Sequence, residues 1–233
     1  TQGDRARNSW YVLHAGPPTA GAFGCWKRGI TETWCERNTE LSQTQWNVIR
    51  KQLQAADIKR RRVEKERRDK ARDIATRLYD RAQCADASNS YLAAKTVKAF
   101  GDLRQSGDGQ LIVPLRDVDD RLHSLQFIRG DGEKRFLPGG RIRDCWFTVA
   151  EETNGPLVLC EGYATGASVH EATNIATVCA MNSGNLLAVA QALRAKWPDR
   201  EIIIAADNDQ WTDGNPGVTK ATEAAKAIHE VSV

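Results

Sequence analysis

The chain has 233 residues, 41% hydrophobic and 27% charged, with 33 Lys and Arg against 30 Asp and Glu for a net charge of +3. That length accommodates one large domain or two modest ones with a real core. No apolar run approaches the roughly 18 residues of a membrane span, so a membrane protein is excluded, and no secretory leader is expected. Six cysteines, Cys25, Cys35, Cys84, Cys145, Cys160 and Cys179, form no CxxC pairs and are too sparse for a disulfide scaffold, which points to reduced thiols in a cytoplasmic protein. Running from Thr1 to Val233, just past an apparent helix, the sequence reads as a segment of something longer.

The small net charge hides two opposite parts. Residues 1–150 hold 28 Lys and Arg against 19 Asp and Glu, whereas residues 151–233 hold 5 against 11. A basic part joined to an acidic part suggests a polyanion-binding surface beside a carboxylate cluster, although solvated helix faces give the same totals.

In chain order, residues 1–40 form a Trp-rich β segment. Trp10, Tyr11, Phe23, Trp26 and Trp34 surround turn residues at Gly16-Pro17-Pro18 and Gly21, predicting two or three short strands. Residues 41–84 form a long helix: no Gly or Pro interrupts Ser42–Gln83, Ser42 is a plausible N-cap, and apolar residues recur at Trp46, Ile49, Leu53 and Ala56, then Ala71, Ile74, Ala75 and Leu78. Its middle, Lys59–Lys70, is almost entirely charged and reads either as a solvated face with internal ion pairs or as a phosphate-tracking surface.

Residues 85–150 form a basic mixed α+β subdomain. A short helix near Tyr91–Lys98 precedes an apolar strand Leu111-Ile112-Val113-Pro114-Leu115, a turn at Asp117–Arg121, an alternating strand Leu122–Ile128 and a Lys134-Arg135-Phe136 segment. From Pro156 the pattern alternates: strands at 157–160, 176–181 and 201–206, helices at 164–172, 186–196 and 218–229. Such alternation predicts an α/β domain over 151–233 with a parallel sheet covered on both faces. The chemistry of such sheets collects beyond the carboxyl ends of the strands.

At those ends stand Glu161, in Leu-Cys-Glu-Gly-Tyr-Ala-Thr-Gly, and Asp207 and Asp209, in Ile-Ala-Ala-Asp-Asn-Asp. Carboxylates at the tips of buried strands are costly unless a cation neutralises them, and three hard oxygen donors suit Mg²⁺ or Mn²⁺. The spacing of Asp207 and Asp209 turns both side chains to one side if the strand continues through them. Asp213, Lys220 and Asn182 to Asn185 lie on loops or a helix start at the same edge and are second-rank candidates, Asn182 and Asn185 among them; Asp213 and Lys220 read either as functional or as ordinary surface residues. Gly162 is expected to let the backbone pass close to the site.

Strand-Glu-Gly followed two β/α units later by strand-Asp-x-Asp resembles the TOPRIM domain of primases, topoisomerases and some nucleases. Upstream, Val113-Pro114-Leu115-Arg116-Asp117 and Lys134-Arg135-Phe136-Leu137-Pro138 resemble the basic subdomain of DnaG-type primases. Glu161-Gly162-Tyr163-Ala164-Thr165 and Asn215-Pro216-Gly217 resemble still more the TOPRIM primases of phages and plasmids. The resemblance covers about residues 88–230. It implies a primase making short RNA primers from NTPs on single-stranded DNA, with Glu161, Asp207 and Asp209 as metal-holding catalytic residues and Glu161 alternatively a general base. It also implies that Arg116, Lys134 and Arg135 contact template or nucleotide phosphates, and that a helicase, fused or separate, is a partner.

Against the DnaG pattern, Cys25, Cys35 and His14 lack zinc-ribbon spacing, so zinc is not expected. The Trp-rich strands read either as the core of a small sheet or as a stacking surface for single-stranded template. TOPRIM domains usually continue with a fourth strand, and Val231-Ser232-Val233 reads as its start. A TOPRIM nuclease and a non-catalytic nucleic-acid-binding module are the alternatives; a topoisomerase would need a strand-passage region.

Overall fold

In the computed structural model, residues 8–14, 19–25, 30–35, 43–151 and 155–229 are described. The expected N-cap at Ser42, the strand start at 231–233, and the side chains of His14 and Cys35 lie outside them. The chain divides into two units, 1–61 and 62–233, with the boundary inside a long helix.

In the first unit, strands β1 (Ser9–His14), β2 (Ala20–Cys25) and β3 (Ile30–Cys35) form an antiparallel sheet in that order. Two tryptophans pack against glycines of the central strand. A Cβ at Gly21 would stand 2.7 Å from Trp34 Nε1, and one at Gly24 would stand 2.7 Å from Trp10 Nε1. Helix α1 (Gln43–Arg81) follows without interruption for 39 residues. Its charged middle is ion-paired along its own surface: Arg61 with Asp57 at 2.6 Å, Arg62 with Glu66 at 3.0 Å, Lys65 with Asp69 at 2.6 Å, and Arg68 with Glu64 at 2.9 Å. Exposed i,i+4 pairs of this kind are screened by solvent and contribute little to stability.

In the second unit the end of α1 turns Ala71, Ala75 and Tyr79 inward, Ala75 and Tyr79 joining the cluster of Ile112, Leu125 and Leu137. Then come β4 (Gln83–Cys84), α2 (Ser90–Lys95), β5 (Arg104–Gln105), β6 (Leu111–Arg116), β7 (Leu122–Ile128) and β8 (Lys134–Phe136). The five strands form an antiparallel sheet in chain order. Asn89 starts α2, its Oδ1 accepting from the backbone N–H of Tyr91 at 3.1 Å and Leu92 at 3.4 Å. Pro114 is tolerated inside β6 because β5 pairs only with Leu111 and Ile112, leaving the proline's missing N–H without a ladder position to fill.

A four-residue strand β9 (Phe147–Ala150) leads into the alternating part: β10 (Leu157–Cys160), α3 (Tyr163–Thr173), β11 (Ala176–Cys179), α4 (Leu186–Lys196), β12 (Ile202–Ala205) and α5 (Pro216–His229). The sheet order is β12-β10-β11-β9. The first three strands are parallel, as expected, and β9 adds an antiparallel edge that the sequence did not announce. Leu157 and Leu159 point to the α4 and α5 side with Val189, Leu193 and Ala224, while Val158 and Cys160 point to the α3 side with Tyr163 and Ala167. This is the period-2 alternation of a strand buried on both faces.

The α3-side core does not stop at the parallel sheet. It continues through Phe147 and Cys145 to Leu111, Val113, Leu115, Ile128, Tyr91 and Leu92 of the preceding subdomain. Tyr163, fully buried, ties the start of α3 to the backbone that follows α2: its hydroxyl donates to Lys98 O at 2.6 Å and accepts from Phe100 N–H at 2.9 Å. Burial pushes the thiols of Cys145 and Cys160 up to about 12, and that of Cys179 well above its usual range, so none of the three is a nucleophile at neutral pH. Among the described residues no helix is long and apolar enough to cross a membrane.

Candidate active site at the carboxyl edge of the parallel sheet

Three successive β-to-α connections meet at one edge. Glu161 follows β10, the segment Met181–Asn185 follows β11, and Asp207 and Asp209 follow β12. Between β11 and α4 the chain reverses through Met181, whose φ of 70° is left-handed, into a single 3₁₀ turn Ser183–Asn185. A non-glycine residue in that region is uncommon and is held there by its surroundings. Gln126 helps, donating from Nε2 to Met181 O at 3.3 Å. The reversal brings the Ser183 backbone N–H to the Glu161 carboxyl.

Burial holds that carboxyl above the usual carboxylate range, and the negative charges of Asp207 and Asp209 push the same way; the Ser183 amide and the Lys134 ammonium oppose them. Glu161 therefore feels both aspartates, and a bound cation would offset the cost of its negative charge beside theirs.

Strand β12 ends at Ala205, so Asp207 and Asp209 are on a loop and do not alternate along a strand as expected. Their orientation has another cause. Thr165, on the first turn of α3, donates its hydroxyl to Asp207 Oδ1 at 3.2 Å. The backbone N–H of Gly217, at the start of α5, donates to Asp209 Oδ2 at 3.1 Å, placing a carboxylate at a helix N-terminus where the dipole favours it. Gly217 is itself constrained: a Cβ would run into the Asp207 carbonyl oxygen and stand 3.0 Å from Asp209 Oδ2.

The expected phosphate-binding residues do not gather in one place. Lys134 stands at the acidic edge, its Nζ lying 3.6 Å from where a Cβ on Gly162 would be. Arg135, its neighbour on β8, points the other way and pairs with Glu133 at 2.6 Å. Arg116, at the end of β6, lies over the ring of Tyr79 at 5.6 Å, pairs with Asp120 at 3.6 Å and Asp102 at 3.8 Å, and lines a pocket with Pro114, Phe147 and Glu151. That pocket is more acidic than basic. Gly162 has extended backbone, and a Cβ there would meet only Lys134 Nζ, at an ordinary contact distance, so neither its conformation nor its surroundings demand the glycine expected to let the backbone pass close to the site.

Of the remaining candidates, Lys220 pairs with Glu223 at 2.7 Å on the exposed side of α5, and Asp213 sits in the exposed turn before that helix. Asn182 precedes the 3₁₀ turn, its carbonyl accepting from Asn185 N–H at 3.1 Å. Asn185 is buried and spent internally: its Nδ2 donates to the carbonyls of Ile142, Cys145 and Ala180, and its Oδ1 accepts from Asp144 N–H. It pins the loop after β8 to the loop after β11.

Among the described residues no three His, Cys, Asp or Glu side chains are drawn together tightly enough to cage a metal. An all-oxygen, partly open edge of this kind still fits a hard ion that keeps most of its waters and shares phosphate oxygens. Ser183 fell within the second-rank stretch Asn182 to Asn185, and Thr165 and Gly217 within the motifs Glu161-Gly162-Tyr163-Ala164-Thr165 and Asn215-Pro216-Gly217 without a role of their own; Met181 carried no signal in the sequence.

Residues 156–233 match the Toprim domain family. Over its length the chain is 36% identical to a DNA primase TraC of Escherichia coli, across 98% of this chain and 22% of that protein. A second Escherichia coli DNA primase TraC is 37% identical, across 96% of this chain and 16% of that protein. The chain thus spans about a fifth of the length of these relatives. The primase fragment of the bacteriophage T7 primase-helicase protein aligns with a TM-score of 0.43 and 15% identity, over 63% of this chain and 61% of that one. The parallel strands, the glutamate after the first and the paired aspartates after the third thus coincide with a family match, and the chain, which carries a Toprim domain over residues 156–233, is a relative of the TOPRIM primases.

Proposed function

We propose that this chain is the core of a DNA primase: a cytoplasmic, metal-dependent nucleotidyltransferase that joins NTPs into short RNA primers on single-stranded DNA during replication of a phage, plasmid or other mobile element. The observation that carries the reading is the convergence of Glu161, Asp207 and Asp209 on one sheet edge, with Lys134 close to Glu161. The primase names of its relatives support it.

Glu161, Asp207 and Asp209 would hold Mg²⁺ or Mn²⁺, which when bound neutralises charge on the reacting α-phosphate and on the departing pyrophosphate. The chain's own residues do the positioning. Thr165 fixes one Asp207 oxygen, the Gly217 amide fixes one Asp209 oxygen, and Lys134 offers a mobile cation to a phosphate oxygen beside them. Arg116 and Arg135, already ion-paired, would reach a phosphate only by exchanging partners. Lys220, Asp213 and Asn182 remain secondary candidates for contacts along the same rim, and a helicase is the expected partner.

The test is primer synthesis by the 233-residue chain on single-stranded DNA with NTPs and Mg²⁺ or Mn²⁺. Asp207→Ala should reduce it by at least 100-fold while single-strand binding persists. Synthesis that survives the change would remove the metal assignment, and DNA cleavage without NTPs would favour a nuclease.

A further inference from the structure

Among the large apolar side chains described in the second unit, Trp211 stands apart, 93% exposed where Val63 is 57% and Ile74, Leu78 and Ile203 are near 40%. It is not on a loose tail. The N–H of Thr212 donates to Asp209 O at 2.8 Å, closing a tight turn around Gln210 and Trp211, and Asn215 N–H donates to Thr212 O at 2.9 Å, closing the next. Asn215 Nδ2 donates to Asn208 Oδ1 at 3.0 Å and Asp209 Oδ2 accepts from Gly217, so both ends of the loop are tied down. An indole is thus presented to solvent by a braced turn, two residues from a carboxylate of the acidic edge and within about 7 Å of it along the backbone.

We infer that Trp211 is a base-stacking platform, its face taken by a nucleobase of the template or of the incoming nucleotide while the phosphates engage the acidic edge. The inference rests on the nucleotidyl-transfer reading of that edge. A nucleobase is the occupant that fits because the rest of the loop, Asn208, Gln210, Thr212, Asp213, Gly214 and Asn215, is polar or glycine. A protein-docking hot spot is an anchor within a contiguous apolar patch. A solitary indole among polar groups suits a flat ring with polar edges, and such stacking tolerates any base sequence.

The experiment compares the 233-residue chain with Trp211→Ala and Trp211→Phe in two arms at fixed salt: binding of a labelled oligodeoxynucleotide, and binding of a labelled NTP with its KM in primer synthesis. Trp211→Ala should weaken one arm by roughly 5- to 100-fold, with Trp211→Phe within a few-fold of wild type, and the arm affected identifies template or nucleotide. Unchanged affinity in both arms overturns the inference, including the case where Trp211→Ala loses only attachment to another protein. A wild-type chain that binds either ligand but makes no primer defeats the primase reading and leaves stacking to be decided by the Trp211→Ala affinities; one that binds neither overturns both.

Discussion

Gly217 sits where two requirements collide: α5 must begin close enough to receive the Asp209 carboxylate, and the loop carrying Asp207 must pass directly behind it. Only hydrogen fits between them. Gly217→Ala is therefore expected to displace either the first turn of α5 or the Asp207–Asp209 loop, at a cost of about 1–3 kcal/mol, with primer synthesis falling at least tenfold. Thermal melting and the primer assay check this together; a variant with wild-type melting and full activity would show that the loop has slack. The acidic residues stood out in the sequence because each follows closely on a short apolar strand, a place where a charge is conspicuous. The roles of Thr165 and Met181 were not legible there, because they exist only once Thr165 meets Asp207, 42 positions on, and Met181 meets Gln126, 55 positions back; that of Gly217 depends on the loop folding back so that Asp209, eight positions earlier, reaches its N–H. The separation of Lys134 from Arg116 and Arg135 was hidden for the same reason: basic residues look alike until the sheet assigns them to faces.

The turn joining β6 to β7 is the element whose stability is most plainly electrostatic. Asp117, 8% exposed, accepts from Asp119 N–H at 3.0 Å and Arg121 N–H at 3.1 Å through Oδ1, and its Oδ2 lies 2.6 Å from His123 Nε2 and 3.8 Å from Arg141. Burial alone would raise its carboxyl, but the His123 bond and the two turn amides outweigh it and hold the group below 3.8. A depressed carboxylate stabilises the fold fully above its unfolded value, near 3.9, and that contribution is lost as pH falls through the lower folded value. Asp117→Asn should thus lower the melting temperature at pH 6 and show a smaller further drop than wild type between pH 4 and 2.5. Parallel melting curves for the two proteins would remove the assignment. At this scale most elements could be read from sequence: β10, β11 and β12 are apolar runs, and α1 is free of Gly and Pro. Strand β9 escaped because Phe147-Thr-Val-Ala is only four residues long, and β4 and β5, two residues each, have no period to detect.

Taken whole, the basic first part and acidic last part are not independent pieces, since one apolar core crosses from β6 and β7 through β9 to β10 and β11. The folding unit expected from this is residues 62–233, not the family match at 156–233. Expressed alone, 62–233 should melt cooperatively, whereas 156–233 should bind hydrophobic dyes and lack a cooperative transition, because Val158, Cys160, Cys179 and Tyr163 would lose their cover. A sharp melt for the shorter fragment would contradict this. The charge totals pointed to a division of labour between the two parts. They could not reveal that the parts share a core, because apolar residues on a buried sheet face carry no mark of which neighbour covers them.

The hydroxyl of Tyr163 gives this a practical edge for anyone recombining such proteins. Starting one residue after Glu161-Gly162, it is seated in a socket made by the backbone of Lys98 and Phe100, more than sixty positions earlier. Because both socket atoms are backbone, a chimera that exchanges the Toprim segment between relatives keeps this fastening wherever the recipient's chain follows the same path through 98–100, and loses it where an insertion or deletion there moves that path.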